Sequence, residues 1–205
     1  MNKKTYKKSK TNYLHTLPIT AQPTYFTIMR QTEACVVWYP DKKKDGTPCN
    51  KPAMFDCANK KRINQYMEMN EMPLVEPQTT LRMARILSVA CLNDCEDILE
   101  DDIEGFYRYD ASQLTVINFF NKLDANPNQN KLIQEAGVPI FSISKEPDGQ
   151  YIKYTIDIVG RIEKGMHDIF LKQFNASNYA DPADDIIPVS EMPMPNELDE
   201  DDIPF

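Results

Sequence analysis

Three cysteines, Cys35, Cys49 and Cys57, stand 13 and 7 residues apart in the first third of the chain. Thiolates can ligate a structural zinc ion, which takes four ligands, but these intervals are not those of a zinc motif. No C-x-x-C pair is present, and a fourth ligand would have to be His15, Asp56, Cys91 or Cys95. The competing reading makes each cysteine a small apolar core residue. Structural zinc is therefore the one candidate cofactor.

A second set of residues combines flat aromatic faces with cations. Trp38, Tyr39, Phe55, Tyr109 and Tyr151 offer rings, and Lys60, Lys61, Arg62, Arg82, Arg85, Arg108 and Lys153 offer positive charge. Stacking of a nucleic-acid base on such a ring contributes about 1–3 kcal/mol, and cations track the phosphates. Each residue also has a plainer reading. Trp38 suits a core, and Lys60–Arg62 suits a solvated turn. Tyr151 and Lys153 lie two apart, so a strand would place both on one face.

Signatures of catalysis are missing from the sequence. It contains no G-x-x-x-x-G-K-[ST] phosphate loop and no H-E-x-x-H pair. Residues 96–104, "EDILEDDIE", are acidic enough for a two-metal site, but consecutive acids ordinarily form a solvated loop. The chain is expected not to be an enzyme.

Charge is distributed unevenly. The formal net charge is −8, but nine of the 31 acids and none of the 23 basic residues lie between Tyr179 and Phe205. Residues 1–178 thus hold 22 acids against 23 bases and are nearly neutral. Five lysines fall in the first ten residues. Such asymmetry points to electrostatic partners at the two ends. No apolar run reaches the roughly 18 residues that span a bilayer, and no apolar stretch follows the basic start, so neither a membrane span nor a secretory signal is expected. An odd number of cysteines, five, without a staple-like spacing suggests reduced thiols in a cytoplasm-like compartment.

The elements that would position these groups follow from periodicity and punctuation. Residues 24–30 and 34–39 are rich in β-branched and aromatic types and read as two strands. Residues 40–48 form a turn around Asp45-Gly46, 49–62 a cysteine-bearing loop, and 70–80 a proline-punctuated connector. Residues 81–92 alternate as a strand, with Leu81, Met83, Arg85, Leu87 and Val89 on one face; a helix is the alternative. A short strand over 105–110 leads to a helix over 111–123, with Asp110 as its cap and Leu114, Ile117 and Phe120 on its apolar face. A further short helix is expected near 131–136. Residues 138–144 and 150–159 form a hairpin joined by Lys145–Gly149, burying Ile152, Tyr154, Ile156 and Ile158. A last helix covers 161–174, after which periodicity ends.

The last seven residues, "DEDDIPF" (Asp199, Glu200, Asp201, Asp202, Ile203, Pro204, Phe205), resemble the acidic tip of bacterial single-stranded DNA-binding proteins. The residue types explain what such a tip does. Phe205 supplies a ring for a pocket and a carboxylate for a neighbouring cation, Pro204 limits the entropy lost on docking, and the acids speed encounter with a basic rim. The resemblance implies replication, repair and recombination enzymes as partners. The body, from Cys35 through "RMARILSVACLND" and "FYRYDASQL" to "VPIFSISKEPDGQYIKYTIDIV", resembles more weakly the C-terminal DNA-binding barrel of the replication protein A large subunit. There the cysteine loop binds zinc through four cysteines in close pairs, a pattern this chain does not reproduce.

Together these features lead to the expectation of a mainly β oligonucleotide-binding fold, a five-stranded Greek-key barrel, over residues 23–175, with an insertion at about 40–80. A flexible basic arm over 1–22 precedes it, and a disordered acidic tail over 176–205 follows. The function expected is coating of single-stranded DNA, with the tail recruiting partner enzymes and the chain assembling as oligomers or cooperative arrays. A phage origin and a bacterial cytoplasm fit that expectation. The alternative is an adaptor or inhibitor that presents the tail without holding DNA.

Overall fold

The computed structural model describes residues 12–42, 44–56, 59–72, 81–126, 137–149, 151–181, 184 and 186–189. They form seven strands: β1 (His15–Thr16), β2 (Thr24–Lys42), β3 (Pro48–Phe55), β4 (Arg82–Leu92), β5 (Ile103–Ala111), β6 (Val138–Asp148) and β7 (Tyr151–Ile162). Three helices accompany them: α1 (Lys60–Met69), α2 (Leu114–Asp124) and α3 (Lys164–Ala176). The strand order is β1-β5-β4-β2-β6-β7, with β3 paired to β2. β1 runs parallel to β5, and the β2–β3, β2–β6, β4–β5 and β6–β7 ladders are antiparallel.

That topology overturns the expected barrel. Among the described residues the sheet is mixed and open, with β1 and β7 at its ends and no ladder joining them. An oligonucleotide-binding barrel needs closure, because its curved binding face follows from the tilt and stagger of strands wrapped on themselves. The sequence reading erred at two places. Residues 24–30 and 34–39 are parts of one 19-residue strand, and half of the expected cysteine loop is strand β3, paired to β2 from Cys35↔Phe55 to Lys42↔Pro48.

The chain divides into two compact units, Met1–Thr32 with Arg85–Asp184, and Glu33–Ala84 with Asp185–Phe205. The division falls inside β2 and inside β4. In the first unit the sheet carries a helix on each face. Phe26, Leu87, Val89, Cys91, Phe141 and Ile143 pack with Val116 and Phe120 of α2. Met29, Ala90, Leu92, Ile140 and Ile162 pack with Phe170 and Phe174 of α3. Successive residues of β4 therefore enter opposite layers, which is why Ala84–Leu92 is buried without interruption and reads as a nearly continuous apolar run. Phe26 is fully buried and stacks on Phe141 at 5.4 Å. Burying a side chain of that size contributes about 2–3 kcal/mol.

α2 begins later than expected. Gln113, not Asp110, is its cap residue and supplies no side-chain capping bond to the helix, while Asp110 stays in β5 and accepts from Arg108 Nε at 2.7 Å. Its buried residues are Val116, Ile117 and Phe120, and Leu114 is exposed. The β6–β7 hairpin is longer and its turn tighter than the expected five residues, since Asp148 pairs directly with Tyr151. Gly149 has φ +60°, the left-handed conformation that two-residue hairpin turns require. The helix expected near 131–136 lies outside the described residues.

In the second unit Val37, Ala53 and Phe55 of the β2–β3 hairpin pack with Ile63 and Met67 of α1. Asn59 caps α1 by accepting from the backbone N–H groups of Lys61 and Arg62. Three cations in the first turn oppose the helix dipole, each by a few tenths of a kcal/mol when exposed, against about 1 kcal/mol from the cap. Burial of Ile63 and Met67, with Tyr66 edge-on to Phe55, is what holds this helix. Periodicity does end after 175, but later residues still make contacts. Ile187 N–H donates to Met54 O at 2.9 Å, Asp56 N–H to Ile187 O at 3.1 Å, and Val189 is fully buried in this core.

Candidate interaction surfaces

Two residues picked for base stacking turn out to be core. Phe55 has no exposed surface, and Tyr109 is 3% exposed. The Tyr109 hydroxyl donates to Gln113 Oε1 at 2.9 Å, and burial drives its ionisation far above the usual phenol range. Its ring meets Phe26 edge-on at 6.2 Å. Trp38 departs in the other direction. It is 48% exposed, on β2 opposite Pro52, where the sequence favoured a core position. Tyr39, the next residue, packs partly against the second-unit core.

The cations are scattered as well. Arg85 is buried, with its guanidinium paired to Asp124, within 3.4 Å of Asn121 Oδ1 and 5.2 Å from the centre of the Phe120 ring. It is a structural residue at the sheet–α2 contact. Arg108 is engaged by Asp110 within its own strand. Lys60, Lys61 and Arg62 occupy the first turn of α1 instead of a loop, and Arg82 is exposed at the start of β4. Phe55, Tyr109 and Arg85 are thus buried, and the sheet that carries the other strand-borne candidates is open. The single-stranded DNA groove expected for a barrel therefore has no structural basis in the described residues.

The zinc expectation also fails on geometry. Cys35 and Cys49 lie on one hairpin, but Cys35 pairs with Phe55 and Cys49 with Asp41. Six residues of β2 therefore separate the two positions, roughly 20 Å at about 3.3 Å per residue. Cys35 is buried with Met83 Sδ 3.4 Å from its sulfur, and Cys57 lies outside the described residues. Among the described residues no group of three or more histidine, cysteine or acidic side chains converges on a common point. Small core residue is the better account of Cys35.

A cavity of about 330 Å³ opens in the first unit, lined by Pro18, Thr20, Tyr25, Cys91, Asn93 and Glu104 among others. The Cys91 thiol donates to Glu104 Oε2 at 3.3 Å. Burial, that hydrogen bond and the Glu104 charge push Cys91 up to about 12. A thiol so held is protonated at neutral pH and is a poor nucleophile. The cavity thus lacks the reactive sulfur that its lining first suggests.

The expected Tyr151/Lys153 pair does form. Tyr151 is 79% exposed on β7, and Lys153 is exposed on the same side. Exposure alternates from there, with Thr155 and Asp157 outward, while Tyr154, Ile156 and Ile158 pack on the core beneath α2. Ile152, expected inside, is 59% exposed next to the turn. The bulge between Ile158 and Gly160 then shifts the alternation, so that Arg161, opposite Pro139, lies on the other face of the strand from Lys153. The acidic segment Asp199–Phe205 lies outside the described residues. No helix among the described residues is long and apolar enough to cross a membrane. The chain matches no protein-family model, no curated protein and no solved structure.

Proposed function

We propose that this chain is a protein-docking adaptor that presents the segment Asp199, Glu200, Asp201, Asp202, Ile203, Pro204 and Phe205 to a partner with an apolar pocket rimmed by lysine or arginine. The observation that carries this reading is the segregation of charge: nine acids and no basic residue between Tyr179 and Phe205, ending in Ile-Pro-Phe, after a nearly neutral body. Acids draw the segment to a basic rim, and the aromatic and proline provide short-range affinity at low entropic cost. Ile187 and Val189, bound to the β2–β3 hairpin, tether the chain ten residues before Asp199.

Replication, repair and recombination enzymes are the partner class proposed, and no catalytic role is assigned to the chain itself. Five cysteines, an odd number without staple-like spacing, suit a reducing, cytoplasmic setting. Fluorescence anisotropy of the labelled full chain against purified enzymes of that class tests the reading. Binding should weaken with salt and fall at least tenfold on Phe205→Ala or deletion of Ile203–Phe205. Equal binding by the deleted chain, or no binding to any enzyme of the class, would overturn it.

A further inference from the structure

β7 ends the sheet, and among the described residues its one ladder partner is β6. A twelve-residue edge strand with an open hydrogen-bonding side is a template for another strand unless it is blunted. Three of the nine large apolar side chains that stand exposed among the described residues, Tyr151, Ile152 and Val159, belong to this strand. We infer that β7 pairs antiparallel with β7 of a second copy of this chain, about a two-fold axis at Thr155.

The outward side chains select both the occupant and the register. In an antiparallel pair, opposed residues share a face, so a self-pairing strand can centre only on one residue at a time. Centred on Thr155, the pairing sets Lys153 against Asp157 of the other copy, twice by symmetry. It also sets Thr155 against Thr155. Opposite charges and paired threonines are favourable cross-strand pairs, each contributing roughly 0.2–1 kcal/mol.

Neighbouring registers lose this match. A pairing centred on Asp157 opposes two aspartates. One centred on Lys153 opposes two lysines, and one centred on Ile156 sets Asp157 against Thr155, so that Lys153 no longer meets an acid. A foreign strand would have no reason to meet a pattern that is its own complement about Thr155. The bulge in β7, where Ile158 and Gly160 face consecutive residues Phe141 and Ile140 of β6, ends the regular stretch and limits pairing to the segment that carries the match. Such a contact is isologous and closes at two copies.

Charge exchange tests both the contact and its register, using the full chain. Sedimentation equilibrium should show a reversible dimer for the unmodified protein. Lys153→Asp and Asp157→Lys should each weaken it about tenfold or more, because both symmetry-related pairs turn from attraction to repulsion. The double variant K153D/D157K should restore it. Thr155→Cys should give a disulfide-linked dimer on mild oxidation, whereas Val159→Cys should not. All four positions are exposed, and thermal unfolding of the variants separates loss of contact from loss of fold. A monomer at every concentration, single variants as dimeric as the parent, or a double variant as weak as the singles would each overturn the inference. Dimerisation does not use the acidic segment, so deleting Ile203–Phe205 should leave it unchanged, and failure of either proposal is distinguishable from failure of the other.

Discussion

The guanidinium of Arg85 stands 5.2 Å over the centre of the Phe120 ring, so that the sheet and α2 meet through a cation and an aromatic face. The same group is ion-paired to Asp124 on the next turn of that helix. A residue that the sequence offers as a phosphate ligand is thereby committed to the interior.

Arg85→Ala should cost about 2–3 kcal/mol of stability. It removes a charged hydrogen bond, the ring contact and the packing of a long stem. The Asp124 side chain is 56% exposed and rehydrates when released, which keeps the loss below the 3–5 kcal/mol of a fully buried broken pair. Asp124→Ala should cost at least as much, since it strands the buried cation. Urea unfolding of both variants measures this, and a change below about 0.5 kcal/mol for Arg85→Ala, the range of an ordinary surface substitution, would refute the assignment.

Val189 should behave as a core residue although the chain around it has no periodic pattern. Val189→Ala removes a buried branched side chain, and a loss of about 2 kcal/mol is expected. The effect should be local to the second unit. Hydrogen exchange at the Asp56 amide, bonded to Ile187 O at 3.1 Å, is expected to accelerate well before that of β4 amides such as Val89.

Alkaline pH should weaken the first unit through Cys91. Its folded thiol is raised to about 12 from an ordinary value near 9. The folded state therefore holds its proton more tightly than the unfolded chain. That contribution is complete below pH 9 and declines as pH rises towards 12. Tyr109 shifts in the same sense, also through burial, so the readout is a difference. The gap in melting temperature between the parent and Cys91→Ala should shrink from pH 8.5 to pH 11. A constant gap would show that Cys91 is not held as a buried thiol. Alkylation of Cys91 in the native protein should correspondingly be slow at neutral pH.

Trp38 is the sole tryptophan and is 48% exposed. Native fluorescence should respond to iodide as a solvent-facing indole does, with only a modest further increase on unfolding. Protection in the native state matching that of a core tryptophan would contradict its position on β2.

Much of the local structure was legible. Strand β4, the two faces of β7 and the apolar residues Ile117 and Phe120 of α2 follow from periods of two and 3.6, because each burial layer sees only the side of an element that faces it. Lys153 and Tyr151 were placed correctly for that reason. Residues 24–30 and 34–39 were read as two strands because the polar Gln31, Thr32 and Glu33 interrupt the apolar pattern. In the structure the backbone stays extended through them while its burial changes from one unit to the other.

Alternation in a sequence reports which side of a strand is buried, and that much the residues of this chain determined alone, together with the charge separation that isolates 179–205. Alternation carries no information about which strand lies alongside. Whether Cys35 and Cys49 converge, whether Tyr109 faces water or Phe26, and whether the sheet closes all depend on pairings between residues distant in the chain. Those pairings were decided by tertiary packing. With α2 covering one face of the first-unit sheet and α3 the other, both faces of β4 are buried without the closure that an oligonucleotide-binding barrel requires.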